Sequence, residues 1–159
     1  MPMWTLCYIR FQRVKRGGRM LKDKILGVIS GPKIAAVATA VEKPRVRYMV
    51  TVGFEDLSLK AATRRPSTKI SRISKNPEVA LTIWSGEGMK DVGEGKPYVI
   101  IDAFASMVDD AEEKKEFWNP TLEKHFKGPE DPEYVLLNFK PRRIEYYDPA
   151  KGEMDVWTE

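Results

Sequence analysis

Hydrophobic and polar residues alternate along most of the chain, and a period of two predicts β-strands. The clearest case is Arg45–Gly53, in which the apolar residues lie two apart. Further strands are predicted at Lys33–Val41, Leu57–Thr63, Val79–Trp84, Tyr98–Val108, Tyr134–Phe139 and Arg142–Tyr147, the last two being one bent strand or two consecutive strands. Short strands with few helices between them favour a closed or partly closed antiparallel barrel over a doubly wound sheet.

A spacing of three and four residues replaces this alternation in a few segments, and it predicts helices. The predicted helices are Met20–Ser30, Ser67–Lys75 with Ser67 as its N-cap, a segment from Asp109 or Asp110 to Trp118, and a short one ending near Phe126. Proline follows or interrupts each of them, and it cannot continue a helix. Ser85–Lys96 is predicted to be a glycine-rich loop.

The length of 159 residues suits a single domain with a substantial core. We expect residues 20–148 to form that domain, residues 1–19 a basic N-terminal extension, and residues 149–159 a short acidic tail. The extension alternates loosely and is expected to be an edge strand or a peripheral arm. Met20, after the break at Gly17-Gly18, is an alternative start of translation.

Composition excludes several kinds of site. Cys7 is the only cysteine and His125 the only histidine, so no disulfide framework or Cys/His zinc site can form within the chain, and no metal site is predicted. Gly-x-Gly-x-x-Gly and Walker loops are absent. No residue stands out as catalytic, and His125 is expected to be a solvated helix-end histidine. Without a membrane-length apolar run or a signal-peptide pattern, we expect a cytoplasmic protein with no membrane contact.

The net charge of +4 is concentrated near the N-terminus. Residues 1–24 carry seven basic residues and one acidic residue, whereas the other 135 carry 20 basic and 22 acidic residues. The body of the protein is therefore not basic, and no nucleic-acid partner is expected. The segment 57–77 is the exception, because it contains six basic residues and no acidic one.

Within that segment, Thr63–Lys69 joins a predicted strand to a predicted helix. The first N–H groups of a helix have no partner inside it and carry the positive end of the helix dipole. The groups that add donors or charge here are Thr63, Ser67, Thr68, Lys69 and either Arg64 or Arg65. This combination is typical of a phosphate site. The alternative is an ordinary N-cap followed by a solvated basic helix face.

The motif Thr63-x3-Ser67-x-Lys69, followed by Ile73, Asn76-Pro77, residues 79–81 and Trp84, resembles the central segment of the pyridoxamine 5'-phosphate oxidase-like flavoproteins, the FMN-binding split barrels. Arg47, sixteen residues before Thr63, falls where that family has an arginine opening the flavin-lining strand. The stretches 117–120, 128–132, 134–137 and 144–148 resemble its general stress protein branch. The resemblance implies a six-to-seven-stranded antiparallel split β-barrel of Greek-key type with peripheral helices.

The resemblance also implies FMN at the interface of a homodimer. The implied cofactor-binding residues are Arg47, Tyr48, Met49, Val50 and Thr51 along the flavin and ribityl chain, Ala62 and Thr63 at the ring or ribityl hydroxyls, Ser67, Thr68 and Lys69 at the phosphate, and Trp84, Tyr98 and Trp118 at the isoalloxazine. The three aromatic residues would act from the partner subunit, or else pack in the core or the dimer interface.

The implied function is that of an FMN-dependent oxidoreductase with NAD(P)H or another small molecule as electron donor. Related sequences often have glycine in place of Asp102. The family's oxidase has a basic residue where this chain has Val52 and an arginine where it has Thr68. It also has a C-terminal substrate-binding segment with no counterpart after Tyr147, which argues against oxidation of pyridoxamine phosphate. A non-catalytic flavin-binding module of stress responses is the alternative, followed by a related barrel that binds a deazaflavin or haem.

Overall fold

Seven strands and three α-helices make up residues 18–159, the part of the chain that the computed structural model describes. The elements are α1 (Arg19–Ile29), β1 (Gly31–Val41), β2 (Lys43–Gly53), β3 (Leu59–Arg64), α2 (Thr68–Lys75), β4 (Glu78–Trp84), β5 (Tyr98–Val108), α3 (Ala111–Phe117), β6 (Tyr134–Asp148) and β7 (Glu153–Thr158). Single turns of 3₁₀-helix occur at Met89–Asp91 and Pro120–Lys124. Residues 1–17, where an edge strand or arm was expected, lie outside the described residues.

Six of the strands close into an antiparallel barrel. Their order is β3-β2-β1-β4-β5-β6, and β6 pairs back onto β3 to complete the ring. Strand β4 returns to lie beside β1 after the meander β1-β2-β3, which is the Greek-key arrangement. Each of these six strands is paired on both sides, although β2 and β3 pair at only two positions. The predicted fold class is confirmed.

The strands alternate as the sequence pattern predicts, with one face in the core and one outside. The inward residues of β1 and β2 include Ala35, Val37, Met49 and Thr51, which are all buried. Helix α1 contacts β2, β4, β5 and β7, and places Ile25 among the fully buried residues. The two sides of each strand therefore have different environments, and the outer side is available to other molecules.

Strand β6 is a single strand, bent at Arg142. Asp102 of β5 pairs with Arg143, whereas the next residue, Ala103, pairs with Pro141, so that Arg142 bulges out of the ladder. Proline has no amide donor, and strand interiors tolerate it at such irregular positions. The bend lets the first half of β6 pair with β3 and the second half pair with β7.

Strand β7 lies in the segment 149–159, for which the sequence analysis expected an acidic tail and no strand. The chain reverses at Gly152, whose φ of 62° suits glycine. Only Val156 of this strand is buried, which explains the weak sequence signal. Its acidic residues Glu153 and Asp155 lie 3.7 and 3.3 Å from the ammonium group of Lys24 on α1.

No helix among residues 18–159 has the length and apolar character needed to cross a bilayer.

Candidate cofactor-binding site

Strands β2 and β3 pair at two positions and then part. The paired positions are Val52 with Lys60 and Gly53 with Leu59. A cavity of about 700 Å³ lies beside this opening, with Val50 and Val52 on one side and Ala62 on the other. This opening corresponds to the split that the resemblance to the split barrels implies. Because the strands part here, both β2 and β3 contribute residues to the walls of the cavity.

Two walls of different origin enclose this cavity. One wall comes from the barrel and α2, and the other comes from the segment 117–126, which follows α3. The barrel wall consists of Pro32, Val50, Val52, Ala62, Thr63, Arg64 and Lys69, and the opposite wall of Phe117, Asn119, Thr121, Leu122, His125 and Phe126. Seven of these thirteen residues are apolar and six are polar or charged, and a mixture of apolar surface and polar groups is common in small-molecule sites.

Lys69 brings a half-buried positive charge to the cavity. Burial lowers the pKa of its ammonium group, and the neighbouring Arg47 guanidinium lowers it further. Within the described residues, Lys69 has no hydrogen bond and no acidic partner at salt-bridge distance. A bound anion would compensate this charge.

Arg47 lies on the inward-facing side of β2. Its guanidinium donates to Thr39 Oγ1 at 2.9 Å and to the Val37 carbonyl at 3.4 Å. Burial lowers the pKa of Arg47, and the positive charges of Arg72 and Arg45 lower it further. Arg47 and Lys69 thus form a pair of like charges that an anion between them would stabilise.

Helix α2 begins beside these cations. The Ser67 hydroxyl accepts a hydrogen bond from the Ile70 amide at 3.4 Å, so the predicted N-cap is confirmed. Thr63, at the end of β3, is buried and lines the cavity, whereas Thr68 is exposed. The first-turn amides and the hydroxyl of Ser67 complete the donor set that the sequence predicts for a phosphate.

The two loop arginines differ in their availability. Arg64 lines the cavity, but its guanidinium lies 2.7 Å from the Glu133 carboxylate and also donates to the His125 carbonyl. Arg65 is exposed and makes a long 3.9 Å contact with Met107 Sδ. The charge of Arg64 is therefore already offset. Lys69 is the other cation that lines the cavity, and Arg47 does not line it but lies close enough to Lys69 to lower its pKa.

The predicted stretch Tyr48–Thr51 divides between the two faces of β2. Met49 and Thr51 are buried in the core, so only their backbone can reach a ligand outside the barrel. Tyr48 and Val50 point outward and are 81% and 60% exposed. Val50 lines the cavity, and Tyr48 extends the same face away from it.

None of the three predicted aromatic residues lines the cavity within the described part of one chain. Trp84 and Tyr98 line a separate depression of about 390 Å³, and Tyr98 stacks on Tyr147 with ring centroids 4.8 Å apart. Trp118 packs edge-on against Tyr134 at 5.5 Å in a small cluster beneath the 117–126 segment. This packing agrees with the alternative given for Trp118, and its contact with a flavin stays a prediction.

A comparison with models of known protein families shows to which family the chain belongs. Residues 21–148 match the model of the family described as pyridoxamine 5'-phosphate oxidase. That span includes all six barrel strands and both walls of the cavity. The chain belongs to this family. The resemblance drawn from the motifs between Arg47 and Trp84 is confirmed.

Relatives within the pyridoxamine 5'-phosphate oxidase family place the chain in the general stress protein branch. General stress protein 26 of Bacillus subtilis (strain 168) is 32% identical over 125 residues, 78% of this chain and 86% of that protein. The crystal structure of General Stress Protein 26 from Bacillus anthracis strain Sterne is 34% identical, with a TM-score of 0.69, and covers 81% of this chain and 95% of that one. An FAD-binding protein from Mesorhizobium loti shares the fold at 19% identity and a TM-score of 0.60, over 84% of this chain and 95% of its own.

The second wall of the cavity, formed by the segment 117–126, was not predicted from the sequence. The cavity residues that were missed are Pro32, Val52, Phe117, Asn119, Thr121, Leu122, His125 and Phe126. The Phe117–Pro120 motif was the one sequence signal in this segment. It indicated the general stress protein branch, but it did not indicate that the segment lines a cavity. His125 is exposed, as expected, yet it lies at the cavity, because the turn after Pro120 brings it back towards β3.

Proposed function

We propose that this protein binds FMN in the cavity between β2 and β3 and acts as an FMN-dependent oxidoreductase. The observation that carries the proposal is the charge of Lys69 at the start of α2, which has no acidic partner among the described residues. Lys69 lies close to Arg47 and faces a cavity with both apolar and polar walls. A flavin nucleotide has the matching composition, namely a flat, largely apolar ring joined by a polar chain to a phosphate.

The phosphate end fits the donor set of this chain. Lys69 and Arg47 supply charge, while the Ser67 and Thr68 hydroxyls and the first-turn amides of α2 supply directed donors. Charge-assisted hydrogen bonds of this kind are about twice as strong as neutral ones. Thr63 would donate to the ribityl chain or the edge of the ring.

The ring end fits the apolar part of the cavity. Val50, Val52, Phe117 and Leu122 offer contact surface, and the small side chain of Ala62 leaves space beside β3. The volume of about 700 Å³ lies within the range of roughly 300 to 1,000 Å³ that is common for small-molecule sites. When bound, the flavin would supply two-electron transfer between a donor such as NAD(P)H and a small-molecule acceptor.

A second copy of the chain is part of this proposal. Ile34, Val46, Tyr48 and Val50 lie together on the outer face of the β1–β2 hairpin, and each is at least 60% exposed. Burial of such a face in a homodimer would place partner side chains at the mouth of the cavity, because Val50 belongs to both surfaces. Trp84 and Tyr98 of the partner would then be available to the flavin.

A non-catalytic flavin-binding module is the second candidate. No carboxylate of the described residues lines the cavity, and His125 is the only imidazole there. A site with so few groups for proton transfer suits binding or sensing as well as it suits turnover. Steady-state oxidation of NAD(P)H with an electron acceptor separates the two candidates, since a sensing module would not turn over.

The test is a fluorescence titration of FMN into flavin-free protein, with FAD, a deazaflavin and haem as competing ligands. We expect Lys69→Ala to weaken FMN binding by about 10- to 100-fold, the effect of one hydrogen bond to a charged group. Lys75→Ala is the matched control, because Lys75 is exposed at the other end of the same helix. Unchanged FMN affinity in Lys69→Ala would refute the site.

A further inference from the structure

Thr39 joins two positively charged side chains through one oxygen atom. It lies on β1, is only 1% exposed, and points to the inner side of the barrel. Its Oγ1 accepts from Arg47 Nη1 at 2.9 Å and from Arg72 Nε at 3.0 Å. A hydroxyl oxygen has two lone pairs, so both acceptor positions are used.

Arg72 is anchored on the hairpin between β1 and β2. Its Nη2 donates to the carbonyls of Thr39 at 3.3 Å and Val41 at 3.0 Å, and also to the Lys43 carbonyl. Arg72 lies three residues after Lys69 on α2, which puts both side chains on one face of the helix. The position of Lys69 is thus tied to β1 through Arg72.

Arg47 depends more strongly on the Thr39 hydroxyl. Its other contact among the described residues is the 3.4 Å hydrogen bond to the Val37 carbonyl, which is long. Arg45 and Arg72 both repel the Arg47 guanidinium. Without an acceptor at Thr39 Oγ1, this repulsion would move Arg47 away from Arg72 and from its position near Lys69.

The chemical type of the acceptor matters for an anion site. A carboxylate at position 39 would hold both arginines, but it would cancel the charge that attracts an anion. A neutral hydroxyl fixes the direction of the guanidinium and leaves its charge uncompensated. Thr39 is thus able to orient Arg47 at no electrostatic cost to ligand binding.

We propose that Thr39 is a positioning residue for the phosphate of the bound flavin nucleotide, holding Arg47 beside Lys69 through its hydroxyl. This inference rests on the proposed function of the cavity between β2 and β3. Thr39 does not contact the ligand in this arrangement. It determines how strongly the site distinguishes a phosphorylated flavin from an unphosphorylated one.

The experiment compares wild type, Thr39→Val and Thr39→Ser by titration with FMN and with riboflavin, which lacks the phosphate. Valine keeps the shape of threonine but has no acceptor, and serine restores the hydroxyl. We expect the ratio of FMN affinity to riboflavin affinity to fall about tenfold in Thr39→Val and to recover in Thr39→Ser. An unchanged ratio in Thr39→Val, or equal weakening of both flavins with a lower Tm, overturns the proposal.

A second measurement separates this proposal from the proposed function. Thermal stabilisation by inorganic pyrophosphate reports the anion site without any flavin. If wild type does not bind FMN but is stabilised by pyrophosphate, and Thr39→Val is not, the flavin function fails and the positioning role of Thr39 stands. If pyrophosphate stabilises neither protein and FMN does not bind, both proposals are overturned.

Discussion

The ammonium group of Lys60 on β3 lies 2.7 Å from the Glu113 carboxylate on α3. Helix α3 has no buried residue of its own, yet the segment that follows it forms one wall of the cavity. This ion pair fastens the start of that wall to the barrel. The two side chains are 18% and 36% exposed, so the pair is partly shielded from solvent.

Replacement of Lys60 by methionine should loosen this wall. Methionine keeps an unbranched apolar side chain beside Phe54. It lacks the ammonium group, which lies 4.6 Å from the centre of the Phe54 ring and pairs with Glu113. We expect a loss of about 0.2–1 kcal/mol in stability and faster hydrogen exchange of the amides of residues 111–126. Lys140→Met, which breaks the exposed pair with Glu159, is the control. Equal exchange rates in wild type and Lys60→Met would contradict the assignment.

FMN affinity should decline at alkaline pH because of Lys69. Its pKa lies below the ordinary value of 10.5 in the free protein, and a bound phosphate would raise it again. Binding therefore favours the protonated form, and affinity falls as the pH rises through the lowered pKa. FMN titrations of the protein at a series of pH values from about 7 upwards measure this decline in affinity. Lys69→Arg, which stays charged, should keep its affinity over the same range, and an identical decline in that variant would assign the titration to another group.

A methyl group on Gly86 should displace Trp84. A Cβ at position 86 would lie 2.1 Å from the nearest atom of the Trp84 ring, whereas a Cβ at Gly88 would meet no atom within 4 Å. We expect Gly86→Ala to cost about 1–3 kcal/mol, less if the ring moves aside, and to shift the tryptophan fluorescence. Gly88→Ala should behave like wild type in both measurements. Equal stability of Gly86→Ala and Gly88→Ala would contradict the expected clash with the Trp84 ring.

A negative charge on the outer face of the β1–β2 hairpin should separate the proposed homodimer. Tyr48→Asp places a carboxylate among Ile34, Val46 and Val50, where a second copy would have to desolvate it. We expect size-exclusion mass to fall to that of one chain and FMN affinity to fall with it. Met89→Asp, at a residue that is 86% exposed in the glycine-rich loop, should change neither. If the wild-type protein already has the size-exclusion mass of one chain, the proposed homodimer is contradicted.

Local signals in the sequence predict the barrel well. Tyr98–Val108 was predicted at its observed bounds, and Ser67 was identified as the N-cap of α2. These features depend on alternation and capping chemistry, which act over a few residues. The bend of β6 was also foreseen as one of two possibilities, because Pro141 interrupts an otherwise continuous strand pattern.

Features that depend on tertiary contact were not predictable in this way. Strand β7 has one buried residue, Val156, and is stabilised by its pairing with β6. The role of Thr39 depends on two arginines 8 and 33 residues away in sequence. The wall around Phe117 and His125 forms where the segment after α3 returns to the end of β3, and there the Arg64 guanidinium donates to the His125 carbonyl. Each of these depends on contacts between elements distant in the chain, where neither periodicity nor a short motif carries the information.

The pairing of β3 with β6 has a consequence for how the protein is made. Ala62 lies opposite Leu136, so the ring closes only when residues far apart in the chain meet. Such long loops slow folding, since their closure entropy must be overcome before the contacts form. On the ribosome, the nascent chain would carry β3 with an open edge until Tyr134–Phe139 has emerged. The cavity between β2 and β3 is thus a late product of synthesis, and a chain that ends before Tyr134 would have the segment Thr63–Lys69 but no closed barrel to hold it.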